Sequence, residues 1–154
     1  SVAIGRVTVP EDVDRPQMVL RAGGNRVRIV EQERWAEPLK SAIPRAIARN
    51  LTQLLNGARV ATYSQTAGSD ADYQVSIDVQ RFDSTLGDAV TVEALWQVRP
   101  HAPGKKISGR SEVREPAAGD YDALVAAHSK ALSKISRDIG DAIRAAAAVN
   151  GDLR

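Results

Sequence analysis

The sequence Arg34-Trp35-Ala36-Glu37-Pro38-Leu39 opens the region that decides the fold of this 154-residue chain. From Trp35 onward an apolar residue recurs at every fourth position. These residues are Trp35, Leu39, Ile43, Ile47, Leu51 and Leu55. A spacing of four places side chains on one face of an α-helix. The sequence therefore predicts a long amphipathic helix over about residues 34–56, with its apolar face at the centre of the core.

Two prolines limit where this helix can begin. Pro38 suits a first-turn position, whereas Pro44 in the interior removes one hydrogen-bond donor and crowds the carbonyl of residue 40. Either the helix kinks at Pro44, or its regular part begins with Ser41 as N-cap. We favour the kink because the apolar repeat already begins at Trp35. Gly57 is the expected C-cap.

Short strands are predicted before this helix. Residues 2–9 are β-branched and largely apolar, as in a strand that is covered on both faces. Residues 17–21 and 26–30 form a predicted hairpin, because the loop between them contains Gly and Asn.

More strands are predicted after the helix, starting with a short one at 58–63 and a polar loop at 64–71. Residues 73–79 and 90–98 alternate apolar and polar side chains, which indicates half-buried strands. A bulge near Arg81 would return Phe82 to the core face. Residues 106–115 are more polar, as expected of an edge strand.

A second amphipathic helix is predicted over about residues 121–149, with Asp120 as N-cap and Gly151 just beyond the end. One face is apolar, and the opposite face carries Lys130, Lys134, Arg137, Asp141 and Arg144. The apolar face consists of Tyr121, Val125, His128, Leu132, Ile135, Ile139 and Ile143. The predicted fold is α+β, with a single layer of two long amphipathic helices packed on a mostly antiparallel sheet. We expect one domain over residues 1–154.

The amino-acid composition argues against several functional classes. The chain has 43% hydrophobic and 26% charged residues, which is typical of a globular domain. Its net charge is only +2, and aromatic residues make up 4%, which leaves little surface for stacking nucleic-acid bases. The absence of Cys excludes disulfides, thiolate catalysis and Cys-ligated metal within these residues.

The chemical inventory does not predict an enzyme. His101 and His128 are the only histidines, and His128 falls on an apolar helix face, where a packed histidine is the favoured interpretation. Acidic residues at 70 and 72, or at 78 and 83, could form a catalytic pair, but solvated carboxylates are far commoner. We therefore expect no catalytic residue, no bound metal and no cofactor.

Several arginines concentrate positive charge on the predicted hairpin, namely Arg21, Arg26 and Arg28. Contact with nucleic acid or with anionic lipid headgroups is the less favoured interpretation, because most such residues are simply solvated. The hairpin also has an open strand edge with Met18 and Leu20. Such an edge can accept a partner strand or self-associate.

Two motifs carry a family resemblance. The first is Asp14-Arg15-Pro16-Gln17 with Arg21 downstream, and the second is Arg34-Trp35-Ala36-Glu37-Pro38-Leu39 with Asn50-Leu51. Together with Asp72-Tyr73, Val79-x-x-Phe82 and Ala94-x-Trp96, they resemble the ABC-type transport auxiliary lipoprotein family over most of the chain.

The resemblance implies a non-enzymatic accessory lipoprotein of a Gram-negative envelope. Such a protein faces the periplasm, is tethered to the outer membrane, and assists an ABC-type or mammalian-cell-entry-type machine that moves lipids between membranes. Members of the family carry a signal peptide and a lipidated Cys. We expect these upstream of Ser1.

The resemblance also suggests partner-binding residues, which are Arg15, Pro16, Gln17, Arg21, Arg34, Trp35, Glu37 and Pro38. The alternative is that these residues are structural, with Arg15 and Gln17 closing a loop over a packed Trp35. A second alternative for the whole protein is direct binding of a lipid or small ligand. A large apolar cavity would favour the binder, and an exposed apolar patch over a packed interior would favour the docking protein.

Overall fold

The computed structural model describes residues 1–62 and 70–150 and shows an α+β fold. The strands are β1 (Val2–Thr8), β2 (Gln17–Arg21), β3 (Val27–Arg34), β4 (Val60–Thr62), β5 (Tyr73–Thr85), β6 (Ala89–Pro100) and β7 (Ile107–Pro116). The helices are α1 (Leu39–Leu54) and α2 (Tyr121–Asn150), and a short 3₁₀ turn spans Glu11–Val13.

Five of the strands form one mixed sheet in the order β4-β1-β5-β6-β7. Strands β5, β6 and β7 form an antiparallel meander, whereas β1 pairs in parallel with both β4 and β5. Parallel pairing requires a long crossover, and α1 lies on the connection from β1 to β4. The predicted α+β class and mainly antiparallel pairing are therefore confirmed, with a parallel component at the β1 side.

The interior position of β1 explains its composition. Val2, Ala3 and Ile4 are consecutive and all buried. Successive side chains of a strand point to opposite faces, so three buried neighbours require cover on both faces. The expectation of a strand covered on two sides is confirmed.

The bulge predicted near Arg81 is present. The β5–β6 register shifts between Val79 and Arg81. Phe82 is consequently buried on the same side as the residues that alternate before it. The loop predicted at 64–71 and the end of the strand predicted at 58–63 fall mainly on residues 63–69, which lie outside the described residues.

The start of the first helix was predicted wrongly. Helix α1 begins at Leu39, and the carbonyl of Pro38 accepts hydrogen bonds from the backbone N–H groups of Ser41 and Ala42 at 2.9 and 2.8 Å. The segment before it is occupied by β3, which continues to Arg34. Pro44 lies inside the helix, as favoured above, so Ser41 is not the N-cap.

The end of α1 also differs in detail from the prediction. The N–H of Gly57 donates to the carbonyl of Thr52 at 2.8 Å, and that of Asn56 donates to Gln53 at 3.4 Å. This is a Schellman motif in which Asn56, at φ 56°, occupies the left-handed position after the cap residue Leu55. Gly57 is therefore the next residue of the motif, also at positive φ, and not the cap itself.

Helix α2 begins where predicted. The carboxylate of Asp120 accepts a hydrogen bond from the N–H of Ala123 at 3.2 Å, which confirms its role as N-cap. Val125, however, is exposed, and Leu124 is buried in its place. The first turns of α2 pack against β2 and β6 in a small cluster that is separate from the main core. Leu124 and Ala127 are the residues of α2 that are buried in this cluster.

The main core joins both helices to the sheet. Ile43, Ile47 and Leu51 of α1 and Ile135, Ile139 and Ile143 of α2 belong to one buried cluster with inward residues of β1, β5 and β6. Strands β2 and β3 form a separate two-stranded sheet, which the prediction of a single layer did not include.

Candidate interaction surface

The hairpin of β2 and β3 is attached to the rest of the fold through β2. Met18 and Leu20 pack in the small cluster with Val90 and Leu124. Val19 points the other way and joins the main core. Strand β2 is thus buried on both faces, whereas most of β3 is exposed. The hairpin therefore presents β3 to solvent on a fixed base.

The loop before β2 is fastened to the segment before α1. The backbone N–H of Trp35 donates to the carbonyl of Pro16 at 2.9 Å. Asp14 forms an ion pair with Lys40 at 3.0 Å, and Val13 is buried in the main core. These three attachments hold Arg15 and Pro16 beside the entrance to α1, although both side chains are exposed.

The indole of Trp35 packs edge-on against two rings. Its centroid lies 5.8 Å from that of Phe82 and 5.7 Å from that of His128. The imidazole of His128 stacks on Phe82 at 4.0 Å. Trp35 is only half-buried, so the expectation that it lies on the apolar helix face at the centre of the core was wrong. The reason is that Trp35 precedes α1 and lies over the end of β5.

His128 is a buried histidine with one polar partner. It is 3% exposed, and its Nε2 lies 2.7 Å from the hydroxyl oxygen of Ser84, which is also buried. Its Nδ1 has no hydrogen-bond partner among the described residues. Burial lowers the pKa of His128 from 6.5 to about 3, so the imidazole is neutral near pH 7. The predicted packed histidine is confirmed, but only one of its two nitrogens is satisfied.

An ion-pair network connects the hairpin with the main sheet. Arg21 of β2 contacts Asp83 of β5 at 3.2 Å, and Arg81 contacts the same carboxylate at 2.9 Å. Arg81 also lies 3.7 Å from Glu93 of β6, which contacts Arg110 of β7 at 2.5 Å. Both carboxylates are largely shielded, because their side chains are only 12% and 13% exposed. Arg21 therefore helps to orient the hairpin.

The candidate catalytic carboxylates of residues 72, 78 and 83 contact other groups. Asp72 accepts a hydrogen bond from the amino-terminal nitrogen of Ser1 at 2.6 Å. Asp78 accepts a hydrogen bond from Thr8, and Asp83 contacts two arginines. Among residues 1–62 and 70–150, no group of His, Asp and Glu is arranged to hold a metal ion. Within the same residues, neither helix is long and apolar enough to cross a bilayer.

Three open clefts on the described surface have volumes of about 560, 490 and 460 Å³. Charged residues line each of them, including Arg59 and Asp70 in the first, Arg6 and Lys40 in the second, and Asp78 in the third. None of the three is the large apolar cavity that would favour a direct lipid binder.

Comparison with known protein families identifies the chain. The sequence profile of the ABC-type transport auxiliary lipoprotein component matches residues 1–140. The chain belongs to this family. The resemblance carried by the two motifs is thus confirmed over most of the sequence. No curated protein sequence is significantly similar to the chain.

Solved structures share the fold of this auxiliary lipoprotein component. An uncharacterised protein has a TM-score of 0.80 at 22% identity, covering 92% of this chain and 90% of its own. A Xanthomonas campestris protein of the family DUF330 has a TM-score of 0.74 at 21% identity, covering 91% and 81%. A point variant of PelC from Paraburkholderia phytofirmans, described as a dodecamer, has a TM-score of 0.51 at 14% identity, covering 86% and 84%.

The family motifs of this lipoprotein component contain both packed and exposed residues. Gln17 donates to Glu31 at 3.3 Å, Glu37 contacts Arg45 at 3.0 Å, and Pro38 caps α1. The side chains of Arg15 and Arg34 are exposed, and they form no ion pair within the described part of the chain. These two arginines are therefore the motif residues most available to a partner.

Two other family positions join elements of the core. Asn50 donates from α1 to the hydroxyl of Ser136 on α2 at 3.2 Å. The indole N–H of Trp96 donates to Ser111 at 3.0 Å, and that hydroxyl donates to Asp138 of α2 at 2.6 Å. These contacts give a structural explanation for Asn50 and Trp96.

Sequence reasoning missed the Ser84–His128 pair. The two residues are 44 positions apart, so no local spacing links them. The available signal was the bulge, because a bulge that turns Phe82 inward also turns Ser84 inward. A serine at a core position of a strand indicates a buried polar partner.

Proposed function

We propose that this protein is a non-enzymatic accessory lipoprotein of a Gram-negative envelope ABC-type or mammalian-cell-entry-type lipid transport system. In this proposal it lies on the periplasmic side of the outer membrane and docks to the transport machinery. The surface around the joined motifs is the docking site. Family membership over residues 1–140 supports the transport role.

The observation that carries the docking site is the hydrogen bond between Trp35 and Pro16, which joins the two motifs. Arg15 and Arg34 are each next in sequence to one partner of that bond, and both are exposed. Exposed guanidinium groups that have no ion pair among the described residues, on a fixed backbone, suit a partner that carries carboxylates, because the backbone loses little entropy on binding.

The test is binding of the purified periplasmic domain to the mammalian-cell-entry component of the same envelope system. We expect Arg15→Glu and Arg34→Glu to weaken binding about tenfold each, and the affinity of the parent to fall with added salt. Arg137→Glu is the matched control, since Arg137 is an exposed arginine on α2 without an ion pair in the described residues. Circular dichroism verifies the folding of all variants.

Binding of folded Arg15→Glu and Arg34→Glu variants at parental affinity would contradict this docking site, and the motifs would then have only their structural role. Arg21 remains in the proposed surface, but it is a poor test position. A glutamate there would lie beside Asp83, so that the variant would also disturb the attachment of the hairpin.

We also propose that the full-length precursor carries a lipobox Cys upstream of Ser1, because members of this lipoprotein family are anchored in that way. Stable anchoring requires more than one acyl chain, since a single chain binds membranes weakly and reversibly. Metabolic labelling of the precursor with palmitate tests this point. A precursor with a plain secretory cleavage site and no labelled Cys would contradict it.

Self-association is the last part of the proposal. A fold shared with PelC, which is described as a dodecamer, supports it. Light scattering on the purified domain tests it, and a monomer at all concentrations up to about millimolar would contradict it.

A further inference from the structure

The outer edge of β3 has free backbone groups in a defined register. Within the described residues, β3 pairs only with β2. The N–H of Ala22 donates to the carbonyl of Arg26 at 3.0 Å, so the backbone groups of Arg26 point towards β2. Because these directions alternate along a strand, Arg28 also turns towards β2, and Val27 and Ile29 turn their N–H and C=O groups outwards.

The side chains along the same edge form two rows of different chemistry. Val27 and Ile29 are 40% and 37% exposed, which makes them two of the few large apolar side chains on the described surface. Arg26 and Arg28 alternate with them. Both arginines are exposed, and neither forms an ion pair in the described part of the chain. Over residues 26–29 one face of the edge is thus apolar and the other is basic, and Glu31 continues the apolar row with an exposed carboxylate.

The other long edge strand lacks this combination. Strand β7 alternates basic and acidic residues along its exposed positions, including Arg110, Glu112 and Arg114. Mixed charges of this kind discourage pairing with another strand. Strand β4, at the opposite edge, spans three residues in the described part of the chain. Strand β3 is therefore the edge best suited to accept another strand.

We propose that β3 binds an extended segment of the transport partner by strand addition, and that this segment alternates apolar and acidic residues. The proposal rests on the proposed function, of which it specifies the partner's chemistry. In an antiparallel pair, directly opposite side chains lie on the same face. Apolar residues of the segment lie opposite Val27 and Ile29, and carboxylates lie opposite Arg26 and Arg28.

A second copy of β3 does not satisfy this pattern. When two copies of a strand pair antiparallel about a two-fold axis, directly opposite side chains lie on the same face of the sheet. The axis must then pass through one residue position, where that residue lies opposite the same residue of the second copy. Centring on Ile29 places Val27 opposite Glu31, and centring on Val30 places Val27 opposite Glu33. Each of these two arrangements sets a carboxylate against an apolar side chain. Centring on Arg28 pairs Val27 with Ile29 but places Arg28 opposite its own copy, and like charges directly opposite each other are destabilising. All three arrangements leave Arg28 without an acidic partner.

The probe for this inference is a fluorescein-labelled peptide with the central sequence Asp-Val-Asp-Val-Asp-Val, followed by anisotropy. We expect the parent domain to bind it, and the affinity to fall severalfold as NaCl is raised from about 50 to 300 mM. A peptide with Lys in place of Asp is the charge control. A peptide N-methylated at its valines tests the backbone pairing, because methylation removes N–H donors without any change in the protein.

Two variants test the protein side. Ile29→Pro removes an outward N–H while leaving the β2–β3 hydrogen bonds in place, so it should weaken the peptide at least tenfold. Arg28→Glu should weaken binding of the acidic peptide and strengthen binding of the Lys peptide. Arg137→Glu should change the affinity for neither peptide. Unaltered binding of the N-methylated peptide would overturn strand addition even if Ile29→Pro failed to fold.

The outcomes separate this inference from the proposed function. If the parent binds the transport partner in an Arg15- and Arg34-dependent manner but does not bind the peptide, strand addition at β3 is wrong and the proposed docking stands. If it binds the peptide but not the partner, the proposed docking is wrong. A monomer–dimer equilibrium abolished by Ile29→Pro would show that a second copy occupies the edge, and would also overturn the inference.

Discussion

The backbone N–H of Trp35 and the carbonyl of Pro16 are joined by a hydrogen bond of 2.9 Å, which links the segment before α1 to the loop before β2. The ring of the same tryptophan lies over Phe82 and His128. One residue therefore fixes the hairpin to the helix through its backbone and to the sheet through its side chain.

The substitution Trp35→Ala should lower the free energy of unfolding by about 3 kcal/mol, because it removes a large half-buried ring and leaves a void against Phe82. Urea denaturation followed by circular dichroism measures the change. Trp35→Phe is the matched control. It should lose less than half as much unfolding free energy as Trp35→Ala, since it keeps an aromatic contact. An alanine variant as stable as the parent would show that the ring serves contact with a partner instead.

Acidification should destabilise the protein through His128. Burial lowers the pKa of this residue to about 3 in the folded state, whereas the unfolded imidazole titrates near 6.5. Between these two values the unfolded chain binds the extra proton, so stability is full above pH 6.5 and is lost as the pH falls towards 3. The loss from this group is on the order of 4 kcal/mol.

His128→Gln removes the titrating group and leaves the carboxylates unchanged. Urea unfolding of both proteins at pH 7 and pH 4 should therefore show a smaller loss of stability in the variant. An identical loss in the two proteins would mean that His128 does not contribute to the pH dependence.

Gly109→Ala should destabilise the sheet. A Cβ atom at Gly109 would overlap the six-membered ring of Trp96, whose indole N–H is held by Ser111. Overpacking of this kind costs about 1 to 3 kcal/mol. Thermal unfolding measures it, with Ser108→Ala as a control at the exposed neighbouring position. Equal stabilities of Gly109→Ala and Ser108→Ala would show that the indole can shift without cost.

The ion pair of Arg21 and Asp83 should couple the hairpin to the sheet. A double-mutant cycle of Arg21→Met and Asp83→Asn should give a coupling free energy of about 0.5 to 1.5 kcal/mol, because Asp83 is shielded although Arg21 is partly exposed. Chemical denaturation of the four proteins provides the values. A coupling free energy of zero would mean that the packing of β2 alone, without this ion pair, orients the hairpin.

Local patterns predicted the elements better than they predicted how the elements contact one another. The alternation around the bulge correctly placed Phe82 in the core, and a short acidic residue before an apolar repeat correctly identified Asp120 as a cap. The helix was extended too far at its start, because Trp35 fits a spacing of four with Leu39 although α1 begins only after Pro38. A regular spacing of apolar residues does not by itself show that the backbone between them is helical.

The candidate surface was predicted only as a set of motif residues. The sequence pointed to Arg15 and Arg34 together, and the structure shows that the residues next to them, Pro16 and Trp35, are joined by a hydrogen bond. The partners of Arg21 and His128, which are Asp83 and Ser84, come from a strand more than 40 residues away in sequence. Such contacts depend on the packing of β2 and α2 against β5, which no local pattern contains.

The place of β1 in the sheet sets an order on folding. Both neighbours of β1, the strands β4 and β5, follow α1 in the chain. A chain that emerges from a ribosome or a translocation channel with its amino end first thus holds an apolar strand without either partner until β4 has emerged, and without its longer partner until β5 has emerged. Closing these distant contacts requires a large entropic cost before any contact is gained, so we expect assembly of the sheet around β1 to be the slow step of folding.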